Sequence, residues 1–115
     1  MEYRFSNEFA DELVATQDYI EKILIAPQAA ETLGREAIKA IEFVADNPEL
    51  GLNFDERIGY KLMKNHVLRL YILKKKYLLF FVTHEKSVIF LRFLSARTDY
   101  MNHLRYFFGK YSNTI

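Results

Sequence analysis

Three apolar stretches in a row, separated only by short polar breaks, limit most strongly what this chain can fold into. They are Leu68–Leu73, Tyr77–Thr83 and Val88–Ser95. Each is rich in the aliphatic and aromatic residues that favour β-strands. The breaks, Lys74–Lys76 and His84–Lys86, are polar. Because connections this short can join only antiparallel neighbours, the sequence predicts a three-stranded antiparallel meander.

The residues within these strands indicate how deeply each is buried. The middle strand is apolar at nearly every position, which suits a strand covered on both faces. Its neighbours each carry one arginine among apolar residues, Arg69 in the first and Arg92 in the third. Such an arginine either reaches past the sheet edge or pairs with an acidic residue of a helix. For Arg92 we favour such a structural role, in either form, because Arg97 lies five residues further on and strand alternation places the two side chains on opposite faces.

The first half of the chain predicts a strand followed by a helical hairpin. Tyr3–Phe5 is a short strand candidate, and Ser6 is a good N-cap for a helix over residues 7–24 with an apolar stripe at helical spacing. Pro27 suits the first turn of a second helix, which Asn47 and Pro48 end. Helices joined this closely form an antiparallel hairpin with an exposed acidic side.

The remaining segments complete an α+β domain. Glu49–Gly59 is predicted as loop and Tyr60–Val67 as a strand of weaker pattern. Thr98 or Asp99 can cap a last helix that stops near Gly109. We therefore expect one domain over residues 1–115, with an N-terminal strand and an α-helical hairpin packed on a curled antiparallel β-sheet meander, followed by a C-terminal helix.

Composition and charge narrow the function. The chain has no cysteine, no apolar run approaching a membrane span and no signal-peptide core, so we expect a cytoplasmic protein without disulfides. Residues 1–57 carry five Lys/Arg against thirteen Asp/Glu, a net charge of −8, whereas residues 58–115 carry eleven against two, a net charge of +9. This asymmetry indicates an anionic partner for the basic half, or attraction between the halves or between copies.

The order of these segments resembles the RelE/ParE superfamily of bacterial type II toxin–antitoxin toxins. The resemblance spans nearly the whole chain: the starting strand, the hairpin closed by Asn47–Gly51, the pair Leu68-Arg69, the aromatic strand Lys76–Phe81, and Leu91–Tyr100. The last segment is the most specific, because the family often ends its last strand in a basic residue just before an aspartate. No single piece is diagnostic, but their order and spacing together are.

The resemblance implies a toxin that arrests growth and is restrained by a cognate antitoxin. RelE-like members cleave messenger RNA in the ribosomal A site without metal, and ParE-like members poison DNA gyrase. The lysine-rich strand of RelE-like enzymes has no clear counterpart here, since Leu68 and Leu70 occupy that region. The net charge of +1 is also low for a ribosome binder. Gyrase is therefore slightly favoured over the ribosome and its messenger RNA as the target.

Metal-free RNA cleavage needs a base, an acid and cations at the reacting phosphate. Arg97 matches the family's basic residue, and Arg69 is a second candidate cation. Tyr100 and His103 are candidate proton carriers, with Tyr77 as a further one. The other candidates are positions for gripping a target or nucleic acid, namely Lys74, Lys75, Lys76 and Asp99. For the lysine turn we favour an ordinary solvated loop between strands over a binding site.

The last helix and the histidines each allow two interpretations. Its aromatic residues form either core or an antitoxin-docking surface, with docking slightly favoured: Tyr106, Phe107, Phe108 and Tyr111. His66 and His84, at strand ends, are expected to be structural. Scattered histidines without carboxylates at ligand spacing argue against a metal site, and no glycine-rich phosphate loop indicates a nucleotide. We therefore expect neither metal nor cofactor.

A different class of function remains open. The chain could be a non-toxic adaptor whose basic face serves only an acidic protein partner. As a toxin it could form a homodimer or a toxin–antitoxin hetero-oligomer, with no membrane partner. Toxicity on expression separates toxin from adaptor, because only a toxin halts growth.

Overall fold

The computed structural model describes residues 1–111, with the Tyr111 side chain excepted. The elements in chain order are β1 Glu2–Phe5, α1 Asn7–Asp18 with a π-helical continuation Tyr19–Ile23, α2 Pro27–Asp46, a 3₁₀ turn Pro48–Leu50, β2 Leu52–Asn53, α3 Phe54–Ile58, β3 Arg69–Leu73, β4 Tyr77–His84, β5 Ser87–Ser95 and α4 Tyr100–Tyr111. The predicted α+β class is confirmed. No helix within residues 1–111 is both long and apolar enough to span a bilayer.

One open five-stranded sheet organises the chain. The strand order is β1-β5-β4-β3-β2, and β3, β4 and β5 form the predicted antiparallel meander. The N-terminal strand β1 lies beside β5 and runs parallel to it, with Glu2 opposite Ser87 and Phe5 opposite Phe90. The helical hairpin supplies the long crossover that a parallel pair needs.

The sheet separates two apolar cores, so β4 is buried on both faces as predicted. On one face Leu79 and Phe81 pack with residues of α1 and α2 such as Phe9 and Ile41. On the other face Phe80 packs with residues of α3, the segment 59–68 and α4. The architecture is therefore three layers, with helices on both sides of the sheet.

A β-bulge in β5 shifts the strand pairing near Arg92. Phe81 lies opposite Phe90 whereas Phe80 lies opposite Arg92, so Leu91 has no direct partner in the register. After the bulge the alternation of faces moves by one residue, and Phe90 and Phe93 both face the helical hairpin. The bulge thereby brings Arg92 to a position that a regular strand would not give it.

The hairpin forms for the local reasons that the sequence suggests. Ser6 caps α1, because its Oγ accepts a hydrogen bond from the Phe9 N–H at 3.0 Å and donates one to the Leu91 carbonyl at 2.6 Å. Pro27 occupies the first turn of α2. The predicted extent of the first helix is confirmed to Ile23, but its last turn is π-helical, and Ile25 follows with a φ of 52°.

Three local predictions are wrong. The segment Tyr60–Val67 is irregular rather than a strand. It is held by the burial of Met63 and by Asp55, whose carboxylate lies 3.6 Å from Lys61 Nζ and also accepts the Leu68 N–H at 3.3 Å. The predicted loop Glu49–Gly59 contains the 3₁₀ turn, β2 and α3. Gly109 does not end α4, which continues to Tyr111.

Candidate functional site

The predicted basic residue and the lysine turn meet at one end of the sheet. We call this surface, residues Lys74–Lys76 together with Ser95–Tyr100, the meander end. Tyr77, the first residue of β4, pairs with Ser95, the last residue of β5. Just beyond them the Ala96 N–H donates to the Lys76 carbonyl at 2.8 Å, which joins the two segments.

Arg97 lies on a braced turn. The Thr98 hydroxyl donates to the Ser95 carbonyl at 2.7 Å, and the Arg97 N–H donates to the Ser95 hydroxyl at 3.2 Å. The Tyr100 N–H then donates to the Thr98 carbonyl at 2.8 Å. The backbone is fixed by these bonds, whereas the Arg97 side chain is exposed and makes no ion pair within residues 1–111. A fixed backbone with a free guanidinium suits a residue that binds an external anion.

Asp99 serves the helix rather than the arginine. Its carboxylate accepts the Asn102 N–H at 3.4 Å and the Asn102 side-chain amide at 2.6 Å. Of the two alternatives for this carboxylate, capping α4 or orienting Arg97, the contacts are those of the cap. Arg97 therefore keeps its charge available.

The three lysines of the turn differ from one another. Lys74 and Lys75 have positive φ values of 54° and 60°, the left-handed conformation that tight turns require. Lys74 is bound to α2 through Glu36, with Nζ 2.6 Å from the carboxylate. Lys75 and Lys76 are exposed and form no ion pair within the described residues. Two lysines and Arg97 are thus the available cations of the meander end.

Arg69 lies elsewhere. It pairs in register with Phe81, at the end of β3 opposite to the lysine turn, whereas Leu73 pairs with Tyr77. Four residues of strand separate the two ends by roughly 13 Å. The Arg69 guanidinium instead donates to the Gly51 carbonyl at 3.1 Å. The structure therefore does not bring the two candidate catalytic arginines together.

The candidate proton carriers lie at or next to the meander end, and each has contacts of its own. Tyr77 stacks on Phe93 with ring centroids 5.4 Å apart, and Tyr100 packs against the core beneath α4. His103 is exposed one turn into α4, where its carbonyl accepts a bond from Arg92 at 3.4 Å. The meander end thus has exposed cations for holding an anion, while the rings of its two tyrosines are engaged in packing contacts.

The aromatic residues of α4 divide into core and surface. Phe107 and Phe108 are 7% and 2% exposed and belong to the core on that face. For these two, the preference for antitoxin docking is corrected, because burial against the sheet takes up their surface. Tyr106 is 73% exposed. The Tyr111 side chain lies outside the described residues.

Two of the three histidines form a pair that the sequence does not suggest. His66 Nε2 lies 3.0 Å from His84 Nδ1, which ties the segment 59–68 to the end of β4. Burial lowers the pKa of His66, and the nearby His84 and Lys61 lower it further. Within residues 1–111 no three His, Cys, Asp or Glu side chains are grouped to hold a metal ion.

Comparison with known proteins identifies the family and similar folds. The family model described as ParE toxin of type II toxin-antitoxin system, parDE, matches residues 3–100. A solved structure described as the chromosomal ParDE TA system from P. aeruginosa is similar with a TM-score of 0.64 and 17% identity, covering 83% of this chain and 95% of that one. At this identity the likeness shows the fold alone. No curated protein sequence matches. The family match spans most of the chain, and the chain belongs to the ParE toxin family of type II toxin–antitoxin systems.

Proposed function

We propose that this toxin arrests growth by binding DNA gyrase through the meander end. The observation that carries the proposal is that the Arg97 guanidinium is exposed and makes no ion pair within residues 1–111. It is exposed on a braced turn beside Lys75 and Lys76, whereas Arg69 lies at the other end of β3. Such a surface can grip an anionic or polar partner, and it needs no reaction to do so.

The alternative, cleavage of messenger RNA, would ask more of the same residues. A general base must come within hydrogen-bond reach of the proton it removes, and an acid must reach the leaving oxygen. Tyr77 is stacked on Phe93, and Tyr100 is packed beneath α4. Both tyrosines lie close to Arg97 along the fold, but their rings are engaged in these packing contacts. This arrangement favours target binding over catalysis.

A cognate antitoxin is the second proposed partner. Family membership supports it, because type II toxins are restrained by a protein antitoxin. Exposed apolar side chains supply surface for such a partner. They include Tyr106 of α4 and a cluster where the first helix ends: Tyr19, Ile23, Leu24 and Ile25.

Pulse labelling after induction tests the proposed target. A gyrase poison stops incorporation of thymidine before that of methionine, because DNA topology fails first. A ribosome-dependent ribonuclease reverses that order. In the same experiment Arg97→Ala should relieve the arrest. Its matched control is Lys86→Ala, which removes an exposed cation on the β4–β5 turn, away from the meander end. Normal growth of cells that accumulate the folded chain would instead indicate the non-toxic adaptor.

A further inference from the structure

A basic cleft opens on the side of the molecule that α4 covers. The segment 61–64 forms one wall and α4 forms the other, around a volume of about 600 Å³. Lys61, Lys64 and Arg105 line it together with Leu62, Met63, Phe108 and Gly109. Every ionisable side chain that lines the cleft within residues 1–111 is a cation.

The charge of the cleft is only partly neutralised. Lys61 Nζ lies 3.6 Å from the buried carboxylate of Asp55. Arg105 donates to the Tyr60 hydroxyl at 3.3 and 3.2 Å, which is a neutral acceptor. Lys64 is exposed and forms no ion pair within the described residues. Two of the three cations therefore lack a carboxylate partner.

The contact between Arg105 and Tyr60 also joins the two walls. This hydrogen bond links α4 to the residue just before the opposite wall. The ion pair with Asp55 holds Lys61 in that wall. Phe108 is 2% exposed and fixed in the core. Arg105 is therefore presented by a helix, whereas Lys61 and Lys64 lie on an irregular segment that is held by the buried Met63 and by the contact with Asp55. Preorganisation of this kind lowers the cost of ordering side chains on binding.

Gly109 leaves room in the α4 wall. A Cβ placed on it would meet no atom within 4 Å. A helix-interior glycine costs about 1 kcal/mol relative to alanine, and here no close contact requires it. The space beside Gly109 is therefore wide enough for a larger side chain to extend into it.

The α4 wall lies outside the region matched by the family model, which ends at residue 100. The matched part supplies only the wall over residues 61–64. The cleft therefore combines one wall from the matched region with one wall, α4, that lies almost entirely outside it. A surface built in this way is suited to distinguish one partner from the partners of related toxins.

We propose that this cleft binds an acidic segment of the cognate antitoxin and contributes to the choice of partner. Carboxylates of the segment meet Lys64 and Arg105, and an apolar side chain lies on Leu62 and the aliphatic stems of the basic residues. A nucleic-acid backbone would gain little from the apolar, partly exposed Leu62 in the lining. This inference rests on the proposed antitoxin partner and adds where and how that partner is recognised.

Binding of the antitoxin encoded beside the toxin gene tests the inference, by calorimetry on the full chain. Lys64→Glu is expected to weaken binding about tenfold or more, because it places a like charge against the acidic segment. Lys86→Glu makes the same charge change on the β4–β5 turn and is expected to stay within about twofold of the parent. A second pair tests shape: Gly109→Leu fills the cleft and weakens binding, whereas Gly109→Ala leaves it open.

The possible failures are distinguishable. If the antitoxin binds Lys64→Glu and Gly109→Leu as tightly as the parent, the cleft is not its site, although the proposed partner stands. If the antitoxin does not bind the parent chain, the proposed partner falls and this inference falls with it. Sedimentation of the toxin alone gives a third check. A mass that drops on Lys64→Glu would assign the cleft to a second copy and overturn the proposal.

Discussion

Glu12 of α1 forms an ion pair with Arg92 of β5, at the part of β5 that extends beyond its pairing with β1. Its Oε1 accepts the Arg92 Nε–H at 2.9 Å and also the Phe93 backbone N–H at 3.1 Å. The strand β1 pairs with β5 only as far as Phe90, so within residues 1–111 no strand lies on the β1 side of Arg92 and Phe93, whereas β4 pairs with them on the other side. One carboxylate therefore satisfies both a buried guanidinium and a strand edge, and Arg92 extends further to contact the Phe107 ring at 5.0 Å.

Removal of one partner of this ion pair is expected to destabilise the fold strongly. Arg92 is 8% exposed, and Glu12→Ala would leave its charge buried without compensation. The expected loss in the free energy of unfolding is about 3–5 kcal/mol. In the double variant Glu12→Leu/Arg92→Met no charge is left unpaired, and it should recover much of that loss. Urea unfolding of the two single and the double variants measures the coupling, and strictly additive losses would contradict the account.

Gly51 is expected to tolerate no side chain. A Cβ there would lie 2.4 Å from Cζ of Phe81, a fully buried ring. Gly51→Ala should therefore cost about 1–3 kcal/mol through overpacking. At Gly34 the corresponding Cβ would meet Nε2 of Gln17 at 2.5 Å, the far end of a flexible side chain. Gly34→Ala is the matched control, and thermal unfolding should show a clearly smaller effect.

The histidine pair should make stability depend on pH. Burial, His84 and Lys61 hold the pKa of His66 below its ordinary value of 6.5. The unfolded chain therefore binds this proton more tightly, and protonation favours unfolding. The free energy of unfolding should be highest above pH 6.5 and fall as the pH drops through the lowered pKa of His66.

Unfolding curves of His66→Gln measured across this range test the assignment. The variant should show a weaker dependence on pH below 6.5 than the parent. His103→Gln, which changes an exposed histidine of α4, should keep the dependence of the parent. A His66→Gln variant with an unchanged pH dependence would remove the histidine pair as its cause.

The meander and hairpin could be predicted because local pattern decides them. Apolar runs with short polar breaks determine β3 to β5, and caps such as Ser6 and Pro27 determine the helix starts. Local pattern did not predict the irregular segment Tyr60–Val67, since this segment is held by tertiary contacts with the carboxylate of Asp55. The parallel pairing of β1 with β5 is a tertiary choice of the same kind.

The candidate site was predictable only in part. The Arg97 position follows from the end of a strand, and the lysine turn follows from the meander. An arginine in an apolar strand predicts either a reach past the sheet edge or a carboxylate partner, and nothing in the acidic first half singles out Glu12. The β-bulge that places Arg92 there has no sequence signal. The pairing of His66 with His84 likewise depends on how the segment 59–68 packs.

Arg97 should matter for function and not for folding. Its side chain is exposed, and the turn beneath it is held by backbone and hydroxyl groups that Arg97→Ala retains. Stability should therefore be nearly unchanged, while binding to the target should weaken by about 2 kcal/mol or more, as for an interface anchor. Asp99→Ala is expected to behave differently and lose about 1 kcal/mol of stability with the cap. Chemical unfolding beside growth assays separates the two, and an Arg97→Ala chain that folds and stays fully toxic would contradict the assignment.

The most direct measurement is supercoiling of relaxed plasmid by purified gyrase in the presence of the toxin, beside ribosome-programmed cleavage of messenger RNA. The account predicts inhibition of gyrase that Arg97→Ala relieves and Lys86→Ala does not, with messenger RNA left intact. Cleavage of messenger RNA on the ribosome with gyrase unaffected would contradict it.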